Sequence, residues 1–129
     1  MSFSLTHAPP YQIFDRTICR SDSGCEALRA RLPFLRPRLH VFGHIHEAHG
    51  AHIHKWATDV GSGEELPVVQ NVAFEPSRNS DMEIQEVRGT TVLVNAANYP
   101  MGPLAVRNGV NLKLFGGPGF QPVIVDLRE

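Results

Sequence analysis

The chain has too few cysteines to build a disulfide framework. Cys19 and Cys25 are the only two, and their spacing matches no thiolate zinc motif. They read as reduced thiols, Cys25 packed inside, in keeping with a cytoplasmic protein. No apolar run approaches the roughly 20 residues a membrane span needs, and the N-terminus lacks a charged-then-apolar leader, so no membrane partner is expected. Charge of either sign is also missing in excess: 12 basic against 13 acidic residues leave a net charge of -1. A field that small gives no general attraction for nucleic acid, which is therefore not an expected partner. There is no internal repeat or low-complexity segment, and 129 residues suit a single domain.

What the chain does have is histidine, and it is clustered. Six of the seven histidines fall between His40 and His54, and the seventh, His7, follows a short apolar run. The segment Arg38-Leu39-His40-Val41-Phe42-Gly43-His44-Ile45-His46-Glu47 reads as a buried strand ending at a glycine and presenting two imidazoles at a sheet's edge.

Punctuation along the chain places these histidines. Phe3 to Thr6 reads as the end of a strand, stopped by Ala8-Pro9-Pro10. Ser23 with Glu26 forms a capping box, and Cys25, Leu28, Leu32 and Leu35 follow at near-helical spacing, so a helix is expected from about residue 24 to 32, with Pro33 limiting it. A strand over 38–42 follows. Strand, helix and strand make a βαβ-like unit whose ligands gather at the carboxyl ends of the strands, placing His7 and His44 on one rim.

A further strand is expected over 51–57, in a hairpin with its predecessor. Residues 61–89, with six carboxylates against two arginines, read as a surface insertion holding a short strand near 68–74. Residues 90–95 and 123–127 are β-branched strand candidates. Residues 99–119, with five glycines and three prolines, are expected to be mostly loop. The fold class is α/β (α+β), mostly strands with one main helix.

Neutral imidazole is a good ligand for borderline divalent metals. On an extended strand His44 and His46 would share a face about 6–7 Å apart, wide for one ion but suited to two neighbouring ions. The alternative is a pair of solvated turn residues. His7 taken on its own is more often a hydrogen-bonded loop histidine than a ligand. His40 is expected to pack against the helix or to donate in the sheet, with no metal role, and His49, His52 and His54 form polar faces of a hairpin, one of them able to support a ligand or reach a phosphate. Asp15 is expected to cap backbone amides of the loop after His7. The arginines between Arg16 and Arg38 make the stretch before the histidines locally basic, which could draw a phosphorylated substrate but usually signals only a solvated helix face, and Asn95 and Asn98 are turn residues at a strand end.

Thr6-His7, followed one helix later by Gly43-His44-Ile45-His46, resembles the last two motifs of the calcineurin-like metallophosphoesterases: an isolated histidine, then GHxH. His7-Ala8-Pro9-Pro10, the run from Arg36 to Gly43 and Ile45-His46-Glu47 are similar to the branch related to brain-type class III phosphodiesterases. The likeness covers residues 3–50, fits 91–96 and the final strand more loosely, and leaves 58–89 without a counterpart. It implies the C-terminal half of a metallophosphoesterase-type αββα sandwich, one partial domain over 1–129. It implies a metal-dependent phosphoester hydrolase using two divalent ions (Mn, Fe or Zn), with His7 and His44 on the second ion and His46 on the first, and a small phosphoester as substrate.

The family's earlier motifs, D-x-H, G-D and G-N-H followed by an acid, have no equivalent here; the chain contains no Gly-Asp and no Asn-His pair. The missing N-terminal half of the domain is thus an expected partner. The chain alone is expected to bind metal weakly, to turn over negligibly and to self-associate through the apolar surface a second half would cover. The competing reading is a non-catalytic metal-binding or interaction module on the same scaffold. A third is a zinc site built from His49, His52 and His54.

Overall fold

A computed structural model describes residues 2–57, 63–70 and 89–97, two short strands beyond them and Val125. Strand β1 (Phe3–Leu5) leads through a long loop to helix α1 (Glu26–Leu35) and strand β2 (Leu39–Phe42). A one-turn 3-10 helix (His46–Ala48), strand β3 (Gly50–Lys55) and strand β4 (Thr90–Asn95) follow. Two-residue strands β5 (Val106–Arg107) and β6 (Val110–Asn111) pair separately in the glycine-rich stretch. The result is a small α+β domain with one four-stranded mixed sheet and one helix.

The sheet order is β1-β2-β4-β3. β1 runs parallel to β2, with Ser4 opposite His40, and β2 runs parallel to β4, with Phe42 opposite Asn95. The βαβ unit expected from the sequence is therefore present, and three parallel strands end on one rim. The expected hairpin is not: β3 runs antiparallel to β4, which lies between it and β2. β4 is the most thoroughly buried strand, so its β-branched run takes the central place and pushes the histidine-rich strand to the edge.

The helix departs from expectation at both ends. Its N-cap is Cys25, whose Sγ accepts a hydrogen bond from Leu28 N (3.4 Å), and Ser23 instead gives its backbone N–H to the Asp15 carbonyl. Cys25 is accordingly exposed rather than packed. The helix continues two residues past Pro33, since Pro33 costs only the N–H that would reach the Arg29 carbonyl. It ends at Arg36, which is left-handed (φ 38°) and gives its N–H to the Leu32 carbonyl.

One face of the sheet carries Ser4, His40, Phe42, Thr91, Leu93 and Asn95 and joins the core with Ile13, Phe14, Leu32, Ile45 and Ala48. Leu66 and Val69 complete that core. Part of the acidic stretch thus returns inward instead of staying at the surface. Val69 and the loop after His7 exchange backbone bonds, Phe14 N to Val69 O (2.8 Å) and Val69 N to Gln12 O (2.9 Å). Arg29 donates to the carbonyls of Tyr11, Leu66 and Pro67, so it staples two loops together rather than facing solvent as part of a basic patch. The short strand expected near 68–74 is represented by the Ile13–Val69 bridge, and residues 71–74 lie outside the described residues. So do most of the strand expected over 123–127 and Asn98.

The other face is apolar throughout its middle, with Phe3, Leu5, Leu39, Val41, Val92 and Ile53 in register across the four strands. Phe3 is 59 % exposed, Leu5 79 % and Ile53 40 %. No helix among the described residues is long and apolar enough to cross a membrane.

Candidate metal centre

The rim at the carboxyl ends of β1 and β2 carries the two histidines that the sequence put there. The backbone holds them close: Thr6 N bonds to Val41 O (3.0 Å), and Gly43 N bonds to the His7 carbonyl (3.0 Å). Across this pairing His7 Nε2 and His44 Nδ1 face each other at 3.1 Å, with ring centroids 4.9 Å apart. Both side chains are exposed.

Two ring nitrogens that close can do one of two things. One can donate a proton to the other, or both lone pairs can point at a single cation. With metal–nitrogen distances of about 2.1 Å, nitrogens in neighbouring positions lie about 3.0 Å apart at a right angle and about 3.4 Å apart in a tetrahedron. The observed separation falls within that range, so the pair fits two adjacent positions on one divalent ion.

His44 does not lie on an extended strand. β2 stops at Phe42, His44 has a positive φ of 70°, and Ile45 N bonds back to the Gly43 carbonyl at 2.8 Å. That is a three-residue turn with His44 at its apex, the strained γ-type that proteins seldom adopt. The pleat argument for His44 and His46 sharing a face therefore does not apply. His46 opens the 3-10 turn, half-buried. Among the described residues no group of three or more His, Cys, Asp or Glu side chains could hold a metal ion, so His46 does not join the His7–His44 pair as a third ligand.

The remaining histidines lie away from this pair, in structural surroundings. His40 is fully buried, its Nδ1 2.9 Å from Ser4 Oγ and its Nε2 without a partner; burial pushes its pKa down to about 4. His49 Nδ1 donates to the Ala97 carbonyl (3.1 Å), and burial lowers its pKa. His52 is lowered by burial and then by the neighbouring His54. His54 is lowered by burial, although Glu64 at 3.6 Å works in the opposite direction. It packs edge-on against Trp56, over which Arg36 lies. These three do not make a shared ligand set, so a zinc site built from them has no support among the described residues.

Asp15 behaves as the sequence suggested. Its carboxylate is fully buried and accepts from Gln12 N and Gly24 N (2.8 Å each) and from Gln70 Nε2 (2.5 Å). Asn95 does not: it is the last residue of β4, fully buried, instead of a turn residue. Its side-chain amide donates to the carbonyls of Phe14 (3.0 Å) and Ile45 (2.9 Å) and accepts from Ala97 N (2.9 Å). A polar residue closing a β-branched run was the only sequence signal for this role.

Comparisons of the chain with models of known families, with curated proteins and with solved structures found no match.

Proposed function

We propose that the chain is the histidine-bearing half of a metal-dependent phosphoester hydrolase of the calcineurin-like kind. The observation that carries this reading is the 3.1 Å approach of His7 Nε2 to His44 Nδ1, two residues 37 apart in sequence that belong to the motifs of the resemblance. His7 and His44 hold one divalent ion, Mn, Fe or Zn, and His46 belongs to a second position. Carboxylates from a segment preceding β1 complete both. When bound, such paired ions supply hydroxide near neutral pH and neutralise phosphoryl oxygens. The chain's own part is to hold two imidazoles in fixed orientation at the end of a rigid sheet.

The apolar sheet face supports the same reading. A sheet with one face packed and the other apolar, half-buried along its middle and exposed at its two outer strands, fits one layer of an αββα sandwich, whose second sheet would bring the acidic motifs to the same rim. By itself the chain binds metal weakly and does not turn over, since a firm site takes three or four protein ligands. The substrate is a small phosphoester, and the free thiols suit the cytoplasm.

A second reading, a metal-binding or interaction module without catalysis, is favoured by the want of a three-ligand group among the described residues. The two separate in one experiment. The chain joined to a preceding segment bearing D-x-H and G-D motifs is assayed on an aryl phosphodiester with Mn²⁺. Hydrolysis that disappears in His44→Ala supports the hydrolase; metal uptake without hydrolysis of any phosphoester supports the module.

A further inference from the structure

His44 sits at the apex of a strained turn, and something must hold it there. A positive φ in a residue with a Cβ is strained and persists only where its surroundings over-determine it. On the N-terminal side the holding contact is backbone: the His7 carbonyl accepts from Gly43 N at 3.0 Å. On the C-terminal side a side chain joins a backbone bond. The Ile45 carbonyl, in the peptide joining the turn to His46, accepts from Asn95 Nδ2 at 2.9 Å and, at the longer 3.3 Å, from Ala48 N of the 3-10 turn.

The same amide nitrogen spends its other hydrogen on the Phe14 carbonyl at 3.0 Å, in the loop that follows His7. Phe14 is itself left-handed (φ 46°) and fully buried. Asn95 Oδ1 accepts from Ala97 N at 2.9 Å. The orientation of the amide follows from its partners, because two are carbonyls that can only accept and one is an N–H that can only donate. All of this occurs without water access, at a side chain of 0 % exposure, where each such bond is expensive to lose.

We infer that Asn95 is a positioning residue of the rim: its side-chain amide ties the loop after β1 to the turn after β2 and holds His44 in the strained conformation that turns its ring toward His7. Asn95 touches neither ring. It acts on the backbone on both sides of the gap, and its place opposite Phe42 in the β2–β4 register is what lets one side chain reach both loops. The inference rests on the metal reading only insofar as the pair serves a cation; the positioning itself is a property of the free chain.

The test uses NMR on the full chain. The wild type is expected to show a contact between the ring protons of His7 and His44. Asn95→Ala is expected to lose it, and to weaken Co²⁺ binding about tenfold or more, the range seen when outer-sphere partners of a ligand are removed. Thr91→Val is the control. It lies on the same strand, equally buried, and removes the Trp56 Nε1 to Thr91 Oγ1 bond (2.9 Å) without touching the rim. It should keep the ring contact even where its melting temperature falls as far. Should Asn95→Ala not fold, Asn95→Ser is read in the same way. A ring contact that survives loss of the amide, that disappears equally in Thr91→Val, or that is missing in the wild type overturns the role. A wild type that shows the contact yet takes up no Co²⁺ ends the metal reading and leaves the positioning role intact.

Discussion

Ser4 Oγ and His40 Nδ1 meet at 2.9 Å across the pairing of β1 with β2, and the far nitrogen of the same ring is buried without a partner. The ring is therefore held neutral in the folded chain, with burial taking its pKa from 6.5 to about 4. In the unfolded chain it takes a proton near pH 6.5. Below that pH the unfolded state gains a proton that the folded state does not, so stability falls as pH drops from about 6.5 to about 4. Once complete, the loss from this one group is on the order of 3 kcal/mol. His49, His52 and His54, lowered by burial, add to it in the same direction. Urea unfolding at steps between pH 7.5 and pH 4 should show this decline, and His40→Leu should flatten it.

The Asp15 carboxylate gathers two backbone N–H groups and the Gln70 amide into the loop that follows His7. Asp15→Ala leaves these buried donors unpaired and is expected to destabilise the chain by about 3 kcal/mol, measured by chemical denaturation. Asp15→Asn should cost less, because its remaining oxygen still accepts.

Gly24 is required by space rather than by its backbone angle. A Cβ there would lie 2.4 Å from the Pro10 carbonyl oxygen, and at Gly50 one would lie 2.7 Å from the Phe14 ring. The first neighbour is backbone and cannot swing away. Gly24→Ala should therefore cost about 2 kcal/mol, and Gly50→Ala less where the Phe14 ring can shift, both readable as changes in denaturation midpoint.

The exposed apolar face predicts association. Phe3 and Leu5 sit on the edge strand at 59 % and 79 % exposure and contribute little to the core. Replacing both with lysine should leave the melting temperature nearly unchanged while reducing self-association in sedimentation velocity and dye binding to apolar surface. A large loss of stability instead would mean that the face is packed within the chain.

The parts of this architecture legible in the sequence were local. The Pro9-Pro10 stop, the helical spacing of Leu28 and Leu32 and the apolar run before Gly43 sufficed for a βαβ unit, and so for the meeting of His7 with His44. Strand order was not legible, because which strand β4 pairs with depends on contacts far apart in sequence, and a nearby strand with a short connection mimics a hairpin. The turn at His44 was missed for a different reason. A glycine preceding His-Ile-His looks like extended chain, whereas the strained geometry comes from Asn95, 51 positions beyond His44, through its bond to the Ile45 carbonyl. Cys25 as a cap and Pro33 within the helix show tertiary context overriding local preference.

The central claim is that His7 and His44 serve one divalent cation together, and Co²⁺ titration of the chain followed by calorimetry tests it most directly. The account predicts that His7→Ala and His44→Ala each weaken binding at least about tenfold, while the combined replacement of His49, His52 and His54 leaves it within about twofold. Binding untouched by His44→Ala, or abolished by the triple replacement, would contradict it.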